Sequence, residues 1–354
     1  MDDQPVVRVD GSLHAGSGSI VRQAVAYAAL TGHAVRLTQA RARRRPPGLR
    51  PQHVRAVEAL RDLVGGTLDG AAVGSTTVGF SPDRRSPQGR YRWDIGSAGS
   101  ATALALAVLP VLARRGRGVE AEIRGGLFQD FAPSIFHLQH VVLPLLARMG
   151  VDARLDLVRP GYLPAGDGVL RLTVSRAPQR LHAITLDHPG PVRSVWGIAL
   201  SSHLDERQVS ARMARAARAV AAAHGFDATI DERSETTATH AGAALALFAD
   251  RDRGIRLGAD SVGAPHRRAE TIGTRTARHL LAEVDGGATL DRFAADQVIP
   301  FAALADGDTL FRVRSVTAHL TTGLWLASLF LDVRADLANG RVLVHGSGHE
   351  DRFP

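Results

Sequence analysis

Several stretches of the sequence combine residue types that bind or transfer charged groups. His319 lies in SVTAHLTTGLWLASLFL, where Leu320, Leu324, Trp325 and Leu329 fit one apolar helical face. The histidine therefore stands just before or within the first helical turn. The positive end of the helix dipole there disfavours imidazolium and keeps the ring nucleophilic, and the same terminus attracts a phosphate. Asp10 to Ser19, DGSLHAGSGS, places small residues between a strand and a helix, so that Gly16, Gly18 and the backbone N–H groups can face an anion. Arg22 adds a charge one turn later. Taken alone, such a loop serves as readily as a flexible turn, but DIGSAGS (Asp94 to Ser100) repeats the device. The densest positive run is RARRRPPGLRPQH, Arg41 to His53. Its arginines, Arg41 and Arg44 among them, are stopped by Pro46, Pro47 and Gly48. They project from a strand end into a cleft or form a solvated face, and Gln52 and His53 open the next helix. His203, His266, His345 and His349 read as structural or surface histidines.

Composition narrows the chemistry. The chain has 354 residues and a formal net charge of +8, and all 43 of its basic residues are arginine. Without lysine there is no P-loop and no Schiff-base or lysyl-adenylate chemistry. Without cysteine there is no thiol nucleophile, zinc ribbon or disulfide framework. Arginine suits bidentate phosphate recognition. The longest apolar run, ATALALAVLPVLA, is too short to span a membrane and contains a proline. The start, MDDQPVVRVDG, is acidic and has no apolar core. The expectation is a cytoplasmic protein with no membrane partner.

The elements that must position these residues alternate short β-like runs with amphipathic helices, which predicts an α/β (α+β) fold. VVRVDG, IVRQAVAYAALTG, AVRLTQARA and a helix from about Gln52 to Val64 form one unit. YRWDIG, the helix 101–113, GVEAEIRGG and HLQHVVLPLLARMG form a second in the same order. The pattern predicts repeated βαβα-type units, with a third beginning near Val151. Between Leu181 and Arg268 the texture changes to an alanine-rich helix, a strand FDATIDE and a second small-residue helix, HAGAALALFA. The expected organisation is a main domain over 1–180 and 269–354 with a smaller α/β domain inserted at 181–268.

Together these segments resemble the RNA 3′-terminal phosphate cyclase family over nearly the whole chain. The Asp-Gly turn, Gly-rich loop and helical arginine match Asp10, Gly11, Gly16, Gly18 and Arg22. The family's arginine–proline segment is similar to Arg41, Arg44, Pro47, Gly48, Leu49, Gln52 and His53. DIGSAGS, RGGLFQDFAPS, RPGYLPAGDG, RRAETIG and AADQVIP follow in family order, and His319 falls where the family carries its nucleophile. The resemblance implies an ATP-dependent conversion of an RNA 3′-phosphate end to a 2′,3′-cyclic phosphate through a histidyl-AMP intermediate. It implies that Arg22, Arg41 and Arg44 hold phosphates, and that Gln52, Asp296 and Gln297 line the nucleotide pocket. It places Phe293 against the base in place of the usual tyrosine, and it implies a divalent ion, Mg or Mn, on the triphosphate.

The chain departs from the family pattern at several positions. Ala15 stands in place of a metal-binding glutamate, Ser19 and Leu106 in place of glutamines, and Gly323 in place of an asparagine. Leu127 ends the family's Gly-Gly-Thr. The metal ligands are thus left unassigned. Two further readings stand beside the cyclase: a histidine-dependent nucleotidyl transferase acting on a small phosphorylated metabolite, and a non-catalytic relative that binds RNA or protein during ribosome assembly.

Overall fold

A computed structural model describes residues 6–348. The first five residues, and with them most of the acidic start read as lacking a secretory signal, lie outside these, as does His349. The main body is one βαβαββ motif used three times. In the first unit, β1 (Val7–Asp10) leads through α1 (Gly18–Thr31) to β2 (Val35–Thr38). Then α2 (Pro51–Val64) leads to β3 (Gly66–Asp69) and β4 (Val78–Pro82). β1 pairs parallel with β2, β4 lies antiparallel to β2, and β3 closes the edge against β4. The parallel pair requires a crossover, which α1 supplies.

The second unit repeats this with β5 (Gly89–Asp94), α3 (Ala101–Arg115) and β6 (Arg117–Gly125). A helical run follows: α4 (Ile135–His137), a π-type turn Leu138–Val142, and α5 (Leu143–Arg148). The unit ends with β7 (Ala153–Arg159) and β8 (Gly168–Arg176). Its strand order, β5-β6-β8-β7, is that of the first unit. The strands VDARLDL and GVLRLTVS therefore complete the second unit, and the third begins later, at β9 (Thr185–Leu186). The βαβα reading left out the two strands that close each motif, which in the second unit it assigned to the third.

An insertion separates β9 from the rest of its unit. It comprises β10 (Val192–Ser202), α6 (Val209–Ala223), β11 (Ala228–Glu235), β12 (Gly242–Arg251), β13 (Arg256–Val262) and α7 (Ala269–Asp285). The third unit then resumes with α8 (Arg292–Leu304), β14 (Asp308–Arg312), α9 (Ala318–Leu331), β15 (Ala335–Ala338) and β16 (Arg341–His345), and the pairing is again the same. HAGAALALFA, read from sequence as a helix, is β12. Its Ala243, Leu245 and Leu247 pack into the insertion's own core, while the alternate Ala244, Ala246 and Phe248 pack into the main core. A strand buried on both faces shows no polar alternation and cannot be told from a helix by periodicity. α7 packs on α6 and on the insertion's sheet through Ala269, Ile272 and Leu280. The packing unit thus runs from Val192 to Asp285, beyond the boundary at 268.

Core residues of all three units form one continuous cluster. Within it α1 packs on α3 and α9, and α8 packs on α9 and α3. These helices bring their N-terminal turns to one side of the body. Among the described residues no helix is long and apolar enough to cross a membrane.

Candidate active site

The Gly-rich loop is built on close backbone approach. Asp10 Oδ1 accepts from the backbone N–H and the hydroxyl of Ser12, at 2.9 and 2.7 Å, turning the chain out of β1. Gly16 has φ +54°, and a Cβ there would overlap the stem of Arg43. At Gly18 a Cβ would lie 1.9 Å from Nε2 of His53, so only glycine lets α2 dock against the start of α1. Ser17 caps α1 without a side-chain hydrogen bond, which leaves the helix's first N–H groups for a ligand.

His319 sits in the first turn of α9, which Thr317 caps by accepting from the N–H of Leu320 at 2.9 Å. Its Nδ1 lies 3.1 Å from the Oγ of Ser19, which in turn lies 2.9 Å from the Oγ of Ser17. Burial, together with the charges of Arg22 and Arg44, holds the His319 pKa below that of an ordinary histidine. The ring is neutral at physiological pH, and its contact with the Ser19 hydroxyl fixes its orientation.

Arg22 is half-buried, and burial lowers its pKa to about 10, so it stays cationic. Neither it nor the exposed Arg44 has a carboxylate partner among the described residues. Arg41 differs: its Nη1 donates to the carbonyls of Pro46 and Gly48 at 3.0 and 2.6 Å, which braces the arginine–proline loop. Gln52 accepts from the N–H of Ser100 at 2.7 Å, joining α2 to the DIGSAGS loop. Buried His53 accepts from the N–H of Arg50 at 3.1 Å, and burial with the charges of Arg22, Arg41 and Arg50 drives its pKa down to about 3. It is a neutral spacer at the helix junction.

α8 supplies Phe293 and Asp296. Asp291 caps this helix, accepting from the N–H groups of Phe293 and Ala294 at 3.0 Å each. Asp296 is buried, and burial pushes its pKa up to about 7, while the Thr317 hydroxyl donates to Oδ1 at 2.8 Å. Phe293 is half-buried, with the Arg292 guanidinium 4.9 Å from its ring centre.

Of the residues singled out in the sequence, Gly18, Arg22, Arg41, Arg44, Gln52, His53, Phe293, Asp296 and His319 line one cleft of about 730 Å³. That volume suits a nucleotide-sized ligand. Gly16 shapes the loop beneath Arg43 and does not line the cleft. Gln297 lines a separate small cavity between α1, α3 and α8, with Leu106 and Tyr27, and Ser19 and Arg22 lie between the two cavities. The opposite wall was missed in the sequence. Asp130 receives a bidentate pair from Arg267, at 3.0 and 2.8 Å, and a third bond from Arg275 at 2.6 Å. This triad ties the second unit to the insertion. Arg275 and His279, four apart on α7, present one helical face to the cleft. That spacing was the available signal.

No three carboxylates or histidines converge among the described residues. The carboxylates in the cleft are Asp296, held near its protonated form, Asp260, whose pKa burial raises, and Asp130, already gripped by two arginines. This donor set does not fit a protein-held divalent ion. The guanidinium groups and open helix termini do fit the anionic groups of ATP.

Comparison with known proteins identifies the family. A family model described as RNA 3′-terminal phosphate cyclase matches residues 13–337. The chain belongs to the RNA 3′-terminal phosphate cyclase family. The cyclase of Methylococcus capsulatus is 41% identical over 353 residues, covering 97% of each chain. That of Staphylothermus marinus is 34% identical, covering 97% of this chain and 99% of the relative. That of Thermococcus onnurineus is 35% identical, covering 96% and 99%. The relatives are enzymes, and this chain is an enzyme of the same family.

Proposed function

We propose that the protein converts the 3′-terminal phosphate of RNA to a 2′,3′-cyclic phosphate at the expense of ATP, with His319 as the nucleophile. The observation that carries this reading is the neutral imidazole of His319, with Nδ1 at Ser19 and two carboxylate-free guanidinium groups, Arg22 and Arg44, beside it. In the first step Nε2 attacks the α-phosphorus of ATP. An N–P bond forms, the bond to the bridging oxygen breaks, and pyrophosphate leaves. Arg22 and Arg44 stabilise the charge that develops on the phosphoryl oxygens. Nδ1 keeps its proton, shared with Ser19 Oγ.

In the second step an oxygen of the RNA 3′-phosphate attacks the same phosphorus and the N–P bond breaks, leaving an AMP–phosphate anhydride on the RNA end. The adjacent 2′-hydroxyl then attacks the terminal phosphorus, expels AMP and closes the cyclic ester. Phe293 and Asp296 lie at the end of the cleft formed by α8, where an aromatic face and a buried carboxyl suit the base and sugar of a nucleotide. No step depends on a protein-bound metal.

Intact mass after incubation with ATP and Mg²⁺ tests the reading. The expected result is one covalent AMP that maps to His319 and disappears on addition of a 3′-phosphorylated oligonucleotide, with cyclic phosphate as product. Formation of the adduct in the His319→Ala variant would refute the nucleophile.

A further inference from the structure

The loop after β6 exposes a large aromatic side chain at the mouth of the cleft: Phe131 is 97% exposed. An exposed aromatic on a loose loop would carry little meaning, but this loop is held on both sides. Gln129 donates to the carbonyl of Ala98 at 2.5 Å, and Asp130 is clamped by Arg267 and Arg275. Phe131 is therefore presented to solvent by a braced backbone.

Arg267 also lines a second open cavity, of about 620 Å³, bounded by the insertion and by Tyr162 and Leu163. Arg207 and Arg268 stand on its wall, both exposed, and neither is paired with a carboxylate among the described residues. Leu163, 64% exposed, lines the same cavity. An exposed aromatic followed by a groove of free guanidinium groups and apolar contacts is the arrangement that binds single-stranded nucleic acid: bases stack and phosphates meet fixed positive charge. A protein partner would need an acidic, apolar segment, whereas a strand already entering the cleft by its 3′ end continues into this groove without a second docking event.

We infer that Phe131 stacks a base upstream of the terminal nucleotide, and that the groove of Arg207 and Arg268 carries the phosphates of the single strand behind it. This rests on the cyclase reading above and adds a determinant of substrate length to it. A nucleoside 3′-phosphate would use the cleft alone, and an oligonucleotide would use both cavities.

Fluorescence anisotropy with an end-labelled, 3′-phosphorylated single-stranded RNA of about ten nucleotides tests this. Phe131→Ala is expected to weaken binding roughly 5- to 150-fold, the range for removing one base stack, with Phe131→Trp restoring it. Arg207→Glu and Arg268→Glu are expected to weaken binding and to lower the slope of log affinity against log salt by about 0.7 for each phosphate no longer neutralised. Both arginines lie outside the catalytic cleft, so both variants should self-adenylylate as the wild type does. They should also retain its turnover on a nucleoside 3′-phosphate. Wild-type RNA affinity in all three variants, or equal losses on long and short substrates, would overturn the inference while leaving the cyclase reading intact. Failure of the wild type to self-adenylylate would overturn that reading instead.

Discussion

Nδ1 of His319 lies 3.1 Å from Oγ of Ser19, so a side chain at the start of α1 in the first unit orients a ring at the start of α9 in the third. The proposed mechanism requires that Ser19 accept from Nδ1–H, which leaves the Nε2 lone pair free. Ser19→Ala removes the acceptor without opening the core. Losing an orienting hydrogen bond of about 1–2 kcal/mol predicts self-adenylylation slower by roughly 5- to 30-fold, measured by single-turnover labelling with α-labelled ATP. A wild-type rate in this variant would remove Ser19 from the mechanism.

The pH profile of the same step follows from the charges around the ring. Burial, Arg22 and Arg44 all lower the His319 pKa, and only the unprotonated ring attacks. The rate at saturating ATP should rise with pH, with the midpoint of its acid limb below the ordinary histidine value of about 6.5. Arg44→Met removes one repelling charge, so its acid limb should move to higher pH even where the plateau rate falls. An unmoved limb would remove Arg44 from the causes and leave burial and Arg22 to set the shift.

Asp296 trades stability for its place in the cleft. Its folded-state pKa, raised by burial to about 7, exceeds that of an unfolded aspartate. The folded state therefore binds the proton more tightly, and its stability declines as pH rises from about 4 through 7. Asp296→Asn removes the titration and keeps an acceptor for the Thr317 hydroxyl. Thermal unfolding should show the variant more stable than the wild type at pH 8, by up to a few kcal/mol, with the gain shrinking toward pH 5. Activity should fall in the same variant, because the carboxyl lies in the cleft. A gain that does not depend on pH would place the effect elsewhere.

Much of this site was legible in the sequence because it lies at helix N-termini. Small residues followed by an apolar helical stripe mark such a terminus, and Gly18, Arg22 and His319 were found in that way. Asp130, Arg267 and Arg275 were not, because they converge from the second unit and the insertion across more than 130 residues, and no local period records such a contact. The helix reading of β12 failed for a related reason, since a strand covered on both faces hides its alternation. Gln297 shows the converse. It neighbours Asp296 in sequence, yet the turn of α8 carries it to a different cavity.

Two glycines separate close approach from open space. At Gly18 an added methyl would strike the His53 ring, which is buried and held by the N–H of Arg50, so it has little room to move. Gly18→Ala should cost about 1–3 kcal/mol and disturb Arg22 as α1 shifts. Gly323 lies inside α9, and a Cβ there meets Ile299 at 3.4 Å, near ordinary contact. Gly323→Ala should stabilise the protein by about 0.5–1 kcal/mol through helix propensity. Chemical denaturation of the two variants reads the contrast directly. Equal losses would mean that the packing around α9 is tighter than its contacts indicate.

The buried pair of His137 and Asp291 joins three of the parts that form the cleft: the second unit, the insertion and the third unit. His137 Nε2 lies 3.0 and 3.1 Å from the two carboxylate oxygens, and Asp291 also accepts from the N–H of Gly258 in β13 at 2.8 Å while capping α8. Burial works against both charges. The pairing outweighs it, lowering the Asp291 pKa and raising that of His137. The signs differ: the contribution of Asp291 is lost as pH falls through its lowered pKa, and that of His137 as pH rises through its raised one. Stability should therefore peak between the two. Asp291→Ala leaves a buried imidazole and an uncapped helix, at a cost of about 3–5 kcal/mol. Asp291→Asn keeps an acceptor for the helix cap but removes the charge. It should be less stable than the wild type at neutral pH, and it should lack the decline that the wild type shows on the alkaline side. Calorimetric melting across that range decides the point. A wild-type alkaline decline persisting in Asp291→Asn would mean that His137 is neutral in the native protein and that the pair acts through its hydrogen bonds alone.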